Sequence, residues 1–351
     1  MKEAYKSAGV DIGAGELFAL MVKERIARAW GQDAAEEIGG FAGGGPIPKG
    51  AKIVKASVDG VGTKLHLLSL TDMLEVAGRD AVAMACDTYY AGNMPAFALD
   101  HLSVEKLNPE RHIRVIDGVI RGCLDAGCRL IGGETAEEPG TYPYPWRFNL
   151  DVMIIGFPSE EVAFVPVEPG QLVYGWHSGF PGANGFSLLR RVFKLDDSPQ
   201  KVRRRLERYW PELGSTLAEA LLGPTPIWVN AIEDYRKRGM VFSGHAHITG
   251  GGMVGNIPRI IPGNLKVIID RKRWRRPAIF RLAQELGNVT DAEMDRTFNQ
   301  GIIVVSLVSM KHRYGIIGLG DTTGSLVCIG GVSERLGNEP QVEFVGEYND
   351  G

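Results

Sequence analysis

The sequence predicts a two-domain protein of the α/β or α+β class, and three observations carry that prediction. Its 351 residues exceed the roughly 100–200 that a single domain usually holds. Apolar stretches with strand spacing alternate with stretches of helical spacing, a β–α–β series that continues through both halves. Between them, Pro158 to Gly170 turns rich in Pro and Glu, which sets the expected boundary between residues 1–160 and 161–351.

Each element follows from local pattern. Ile53 to Val58 reads as a strand ending at Asp59-Gly60, and Glu75 to Tyr90 has helical spacing with Ala, Val and Met on one side. Phe97 to Val104 alternates as a strand does. Pro109 opens a helix with Ile113, Ile116, Val119, Ile120 and Leu124 on its inner face, and Gly127 stops it. Arg129-Leu130-Ile131 is a short strand running into Gly132-Gly133-Glu134, and Leu150 to Phe157 is another. In the second half, strands are expected at 172–176, 241–248, 265–269 and 302–307, with helices at 185–192 and 227–237. Residues 194–212 are charged and read as a surface excursion.

Composition removes several function classes. With 39 basic against 42 acidic residues, the net charge of −3 lacks the basic excess of a dedicated nucleic-acid binder. Arg203-Arg204-Arg205 and the run from Arg271 to Arg276 read as solvated faces. No stretch approaches the ~20 apolar residues of a membrane helix, and the first residues lack a signal peptide's apolar run. Cys86, Cys123, Cys128 and Cys328 form neither a disulfide framework nor a zinc pair. A cytoplasmic protein with small-molecule partners, and no nucleic acid or membrane, is the expectation.

The 46 glycines are about 13% of the chain against a usual ~7%, and they fall in clusters. Gly39-Gly40-Phe41-Ala42-Gly43-Gly44-Gly45 is able to fold over a ligand. Asp59-Gly60-Val61-Gly62-Thr63-Lys64 puts a carboxylate, two glycines, a hydroxyl and an ammonium within six residues. That mixture suits a phosphate with Mg²⁺, because carboxylates take the hard cation while amides and lysine take the anion. Neither a Walker A motif nor a Rossmann fingerprint occurs. Gly132-Gly133-Glu134-Thr135-Ala136-Glu137 is a second acidic loop at a strand end, which Asp87 and Asp100 could join. His247-Ile248-Thr249-Gly250-Gly251-Gly252 and the segment Asn184-Gly185-Phe186-Ser187 read as anion nests. Two phosphate-gripping regions imply two phosphorylated ligands.

Taken in order, Tyr5 to Ile12, the segments 59–64, 132–137 and 246–252, then Asn256-Ile257-Pro258-Arg259 and Thr297-Phe298-Asn299, resemble the phosphoribosylformylglycinamidine cyclo-ligase (aminoimidazole ribonucleotide synthetase) family. The resemblance spans about residues 5–347. It implies an N-terminal domain that binds ATP and builds a β-barrel across a homodimer interface, and a C-terminal α/β domain that binds substrate. The active site is then expected in the cleft between them. The implied reaction takes ATP and formylglycinamidine ribonucleotide to aminoimidazole ribonucleotide, ADP and phosphate in purine biosynthesis, through phosphorylation of the formyl oxygen.

By the same resemblance, Lys23, Gly43, Gly44, Gly60, Gly62, Thr63 and Lys64 would bind ATP, with Lys64 neutralising phosphate charge. Asp59, Asp87 and Glu134 would hold Mg²⁺, and a K⁺ requirement stays open. Asn184, Thr249, Gly250, Gly251 and Gly252 would lie near substrate, and His247 is the expected general acid/base. Three departures stand out. Cys86-Asp87 replaces Asn-Asp, and Gly182 replaces a histidine in Pro181-Gly182-Ala183-Asn184-Gly185. Phe298-Asn299-Gln300-Gly301 replaces Phe-Asn-Cys-Gly. His177 or His245 could stand in for the missing histidine, and Gly182→His is expected to be tolerated. Two alternatives remain: a thiamine-phosphate kinase-like or selenophosphate synthetase-like enzyme of the same superfamily, or a diverged nucleotide-binding homologue without turnover.

Overall fold

The computed structural model describes residues 6–36, 38–40, 42–309 and 325–350. Tyr5 and Phe41, which belong to two of the sequence patterns above, lie outside them. The chain divides into two compact units, one holding residues 1–89 and 93–160 and the other residues 90–92 and 161–351.

The first unit opens with helix α1 (Ile12–Trp30), whose N-cap Asp11 accepts hydrogen bonds from the amides of Gly13 and Ala14. A short helix α2 (Gln32–Ala35) follows. Four strands, β1 (Lys55–Gly60), β2 (Asn93–Val104), β3 (Arg129–Glu137) and β4 (Phe148–Pro158), form a sheet in the order β1-β4-β2-β3. Only β2 and β3 run parallel, and the crossover joining them carries helix α6 (Pro109–Ala126). Before it come α3 (Leu65–Thr71), α4 (Leu74–Ala85) and α5 (Asp87–Tyr90), whose last residue, Tyr90, belongs to the second unit. Helix α6 begins where its sequence says it must. Asn108 caps it through Arg111 N–H, Pro109 occupies the first turn, and Gly127 ends it at φ +72°.

One face of this sheet is buried under helices and the other is half-open. Ala98, Leu102, Leu150, Val152 and Ile154 alternate onto the buried side, packed with Ala77, Ala81, Val115 and Val119. On the open side Val58 is 62% exposed, while Leu99, Met153 and Ile155 are partly covered.

The second unit is built on a six-stranded sheet. Its strands are β5 (Leu172–His177), β8 (Phe242–His247), β9 (Leu265–Asp270), β10 (Ile302–Val308), β11 (Leu326–Glu334) and β12 (Val342–Val345), while β6 (Tyr209–Trp210) and β7 (Ser215–Thr216) pair separately. They lie in the order β12-β9-β11-β5-β10-β8, all antiparallel except the β12–β9 pair. Val173, Ile248, Ile257, Val267, Trp274, Val305 and Leu307 belong to its core.

Several sequence expectations change. The segment 132–137 is not a loop, because parallel pairing with β2 carries β3 through to the Val104–Glu137 partners. The excursion at 194–212 contains the helix Pro199–Glu207 and the strand Tyr209–Trp210. Helix α1, the helices Ala278–Gly287 and Asp291–Thr297, and strands β11 and β12 were not expected.

Candidate functional site

In the first unit, the glycine loop, β3 and α1 surround a cavity of about 590 Å³ lined by Gly39, Gly40, Ala42, Gly43, Gly132 and Glu134, among others. That volume lies within the ~300–1,000 Å³ of small-molecule sites. Two glycines there are dictated by close approach. A Cβ at Gly43 would stand 1.8 Å from the Ile131 carbonyl, and one at Gly133 would stand 2.2 Å from the Asp100 carboxylate. Gly43 is thus at the cavity, whereas Gly44 borders a smaller recess with Arg129. Lys23 follows the cavity-lining Val22 on α1 and is itself half-buried.

Asp59, Gly60, Gly62, Thr63 and Lys64 sit elsewhere. Rows across the sheet read Asp59–Val152–Asp100–Gly133 and, one residue along, Gly60–Asp151–His101–Glu134. Residues in one row share a face, so Asp59 and Glu134 point to opposite faces. They also sit on opposite edge strands, three strand steps of ~4.8 Å or about 14 Å apart. Asp87 is nearer to Asp59: its neighbour Thr88 donates its amide to Ser57 on β1 at 3.0 Å. Among the described residues, no group of three or more His, Cys, Asp or Glu side chains is placed to hold a metal ion. The expected set of Asp59, Asp87 and Glu134 is therefore corrected: one chain does not assemble it.

Lys64 requires a second correction. Its side chain has no exposed surface, and its ammonium meets the equally buried Asp80 carboxylate at 2.7 Å. Burial pulls its pKa down, while Asp80 pushes it back up. The ammonium is spent inside the domain, so Lys64 supports the 59–64 segment from beneath and is not aimed at a phosphate.

In the second unit three loops meet at one end of the sheet, since His177 ends β5, His247 ends β8 and Ile302 begins β10 between them. Asn184 is half-buried on the first loop. On the second, Thr249 is half-buried, Gly250 and Gly251 are exposed, and Gly252 is buried. The Asn256 amide, part of the Asn256–Arg259 motif but given no role from sequence, donates to the carbonyls of Gly250 and Gly252 at 3.2 and 2.8 Å. The Asn299 amide ties the third loop to the first through the Pro181 carbonyl at 3.0 Å. The spacing of Asn256, four residues after the glycine triplet, is the signal that would have assigned it this role.

His247 is buried on β8, with its ring centroid 5.2 Å from that of Tyr90. His245, on the same face, cannot replace the absent histidine. Burial first, and then Arg236, lower its pKa to about 3, and its Nδ1 is engaged by Ser306 Oγ at 2.7 Å. His177 Nε2 donates to the Arg275 carbonyl. Gly182 has φ +73°, and a Cβ there would come within 3.1 Å of Ile303. The expectation that histidine is tolerated at 182 therefore fails on backbone conformation.

Comparison with known proteins decides the family. The model of the AIR synthase related protein N-terminal domain matches residues 46–157, and that of the C-terminal domain matches residues 168–313. The chain belongs to the AIR synthase related family. It is 38% identical over 322 residues to the phosphoribosylformylglycinamidine cyclo-ligase of Citrifermentans bemidjiense, covering 90% of each chain. The enzyme of that name from Neisseria meningitidis is 35% identical over 350 residues, covering 97% of this chain and 98% of the relative. Among solved structures, Escherichia coli HypE aligns over 94% of each chain at TM-score 0.62 and 14% identity. A thiamine-monophosphate kinase from Stenotrophomonas maltophilia covers 93% of this chain and 96% of its own at TM-score 0.59 and 16% identity. Those two show the fold alone. The family fold is thus two domains, each with a mixed sheet, and no helix among the described residues is long and apolar enough to cross a membrane.

Proposed function

We propose that the protein is a phosphoribosylformylglycinamidine cyclo-ligase, closing the imidazole ring of aminoimidazole ribonucleotide at the expense of ATP in purine biosynthesis. The observation that carries this reading is identity of 35–40% to enzymes of that name over about nine-tenths of the chain or more. The loop cluster of the second unit supports it, because Thr249, Gly250–Gly252 and Asn184 gather at one sheet end beside His247. Glycine amides and a hydroxyl suit a ribose phosphate.

The formyl oxygen of the substrate attacks the γ-phosphorus of ATP, and ADP leaves. The amidine nitrogen then attacks the formyl carbon, loses a proton, and phosphate departs with the former formyl oxygen. The enzyme's share is orientation, charge neutralisation and proton transfer. His247 is the residue assigned to take the amidine proton, since imidazole exchanges protons near neutral pH. Mg²⁺ enters as the MgATP substrate, a form in which one or two protein carboxylates suffice. Asp59 and Asp87 are the pair assigned to it, and Glu134 is not grouped with them.

The reading includes a homodimer in the cytoplasm. The half-open apolar sheet face around Val58, with Ile53 and Val54 more than half exposed, supports a face-to-face partner. Pairing two sheets about a two-fold axis also sets one edge strand beside the opposite edge of the other. That would reunite carboxylates which one chain keeps apart.

The test is incubation of the protein with MgATP and formylglycinamidine ribonucleotide. ADP released only with that substrate, in step with aminoimidazole ribonucleotide identified by mass spectrometry, is the expected result. ADP formation with thiamine phosphate alone would replace the reading with the kinase alternative.

A further inference from the structure

The cavity in the first unit holds a carboxyl group that the reaction described above does not use. Asp100 is 8% exposed and lines the cavity from β2, its side chain lying across Gly133. The walls around it are apolar, with Phe18, Val22, Ile26 and Leu130 among them. No lysine or arginine lines this space, and among the described residues no salt bridge reaches Asp100. A buried carboxyl without a cation is costly unless something hydrogen-bonds to it.

Charge decides which end of a nucleotide such a cavity admits. With no lysine or arginine lining it, the interior offers a triphosphate no cation. Apolar walls and a glycine-lined strand edge accept a flat purine, leaving the phosphates outside. A single buried carboxyl then faces the edge of the base. In its acid form it offers one O–H donor and one carbonyl acceptor side by side, the complement of N1 and the exocyclic amine of adenine. Guanine presents two adjacent donors to the same group. We propose that Asp100 reads the base of the bound nucleotide, selecting adenine over guanine. Burial raises its pKa to about 7 against a hydrogen bond from its own backbone amide, so the acid form is populated near neutral pH.

This inference rests on the reading that ATP is the phosphoryl donor, and the test separates the two. Binding of MgADP, MgGDP and the 6-deaminated purine riboside diphosphate to the full chain is measured by calorimetry, together with the unliganded Tm of D100N and D100L. Wild type is expected to bind ADP at least tenfold more tightly than either other nucleotide. D100N keeps one donor and one acceptor, and is expected to stay within threefold of wild type for ADP. D100L is expected to lose at least tenfold in ADP affinity and most of the discrimination, while its Tm holds or rises because a buried carboxyl without a cation has gone. Equal binding of ADP and the deaminated nucleotide by wild type overturns the inference, and needs no variant to fold. Wild-type ADP affinity in a folded D100L overturns it as well. Failure of ATP-driven turnover with formylglycinamidine ribonucleotide, by contrast, would strike the functional reading itself.

Discussion

Replacing Lys64 by methionine removes one partner of an ion pair whose two side chains are both fully buried and meet at 2.7 Å. Methionine keeps most of the volume, so the loss is electrostatic. The Asp80 carboxylate is left in a low-dielectric interior without its cation, which costs about 3–5 kcal/mol. Because each kcal/mol moves Tm by ~2–4 °C in a domain of ~150–250 residues, Tm is expected to fall by roughly 10 °C. Unfolding of the full chain in urea and by heat, followed by circular dichroism, measures it. The double variant K64M/D80L removes both charges and should recover most of the loss. A cost below ~1 kcal/mol would contradict the buried pair. So would a K64M protein of normal stability that binds ATP poorly, since the ammonium would then be working on a phosphate.

Asp59→Asn should leave Tm within about 1 °C, because the side chain is exposed, while turnover falls by roughly two orders of magnitude; normal activity would remove Asp59 from the site. Gly182→His should destabilise by about 1–3 kcal/mol, from the positive φ and the close Ile303 methyl, read as a lower urea midpoint; an unchanged midpoint would mean that the loop runs differently. His245 has its folded pKa depressed from 6.5 to about 3, so between these values the unfolded chain binds the extra proton. Stability therefore falls as pH drops below ~6.5, by up to ~1.4 kcal/mol per unit. From pH 6.5 to 5, wild type should lose about 2 kcal/mol more than His245→Gln, with Asp100 acting oppositely but equally in both; parallel pH profiles would show that His245 is not buried neutral.

What the sequence could show was whatever repeats at short range. Strands β1, β2, β4, β8 and β10 and helix α6 are legible because side-chain alternation, Pro109 and Gly127 are local signals. Helix α1 is harder to read, since Gly13 and Gly15 weaken its first turn. The glycines at 132 and 133 disguise a strand as a loop, because their strand character comes from pairing with β2. At the candidate site, residue types were legible and directions were not. The 59–64 motif names a lysine but not Asp80, sixteen residues on, which turns it inward. Three carboxylates at strand ends looked like a metal site, yet the order β1-β4-β2-β3 sends Asp59 and Glu134 to opposite edges. In the second unit, the loops after β5 and β8 and before β10 meet because those three strands are neighbours.

Which oxygen the ATP phosphorus captures decides the proposed reaction. Formylglycinamidine ribonucleotide carrying ¹⁸O in its formyl group, turned over with unlabelled ATP, follows that oxygen directly. Mass spectrometry of the released phosphate should find one ¹⁸O atom for every aminoimidazole ribonucleotide formed, with none retained in the nucleotide product. Label appearing in water, or phosphate without it, would contradict phosphoryl transfer to the formyl oxygen as the step this protein performs.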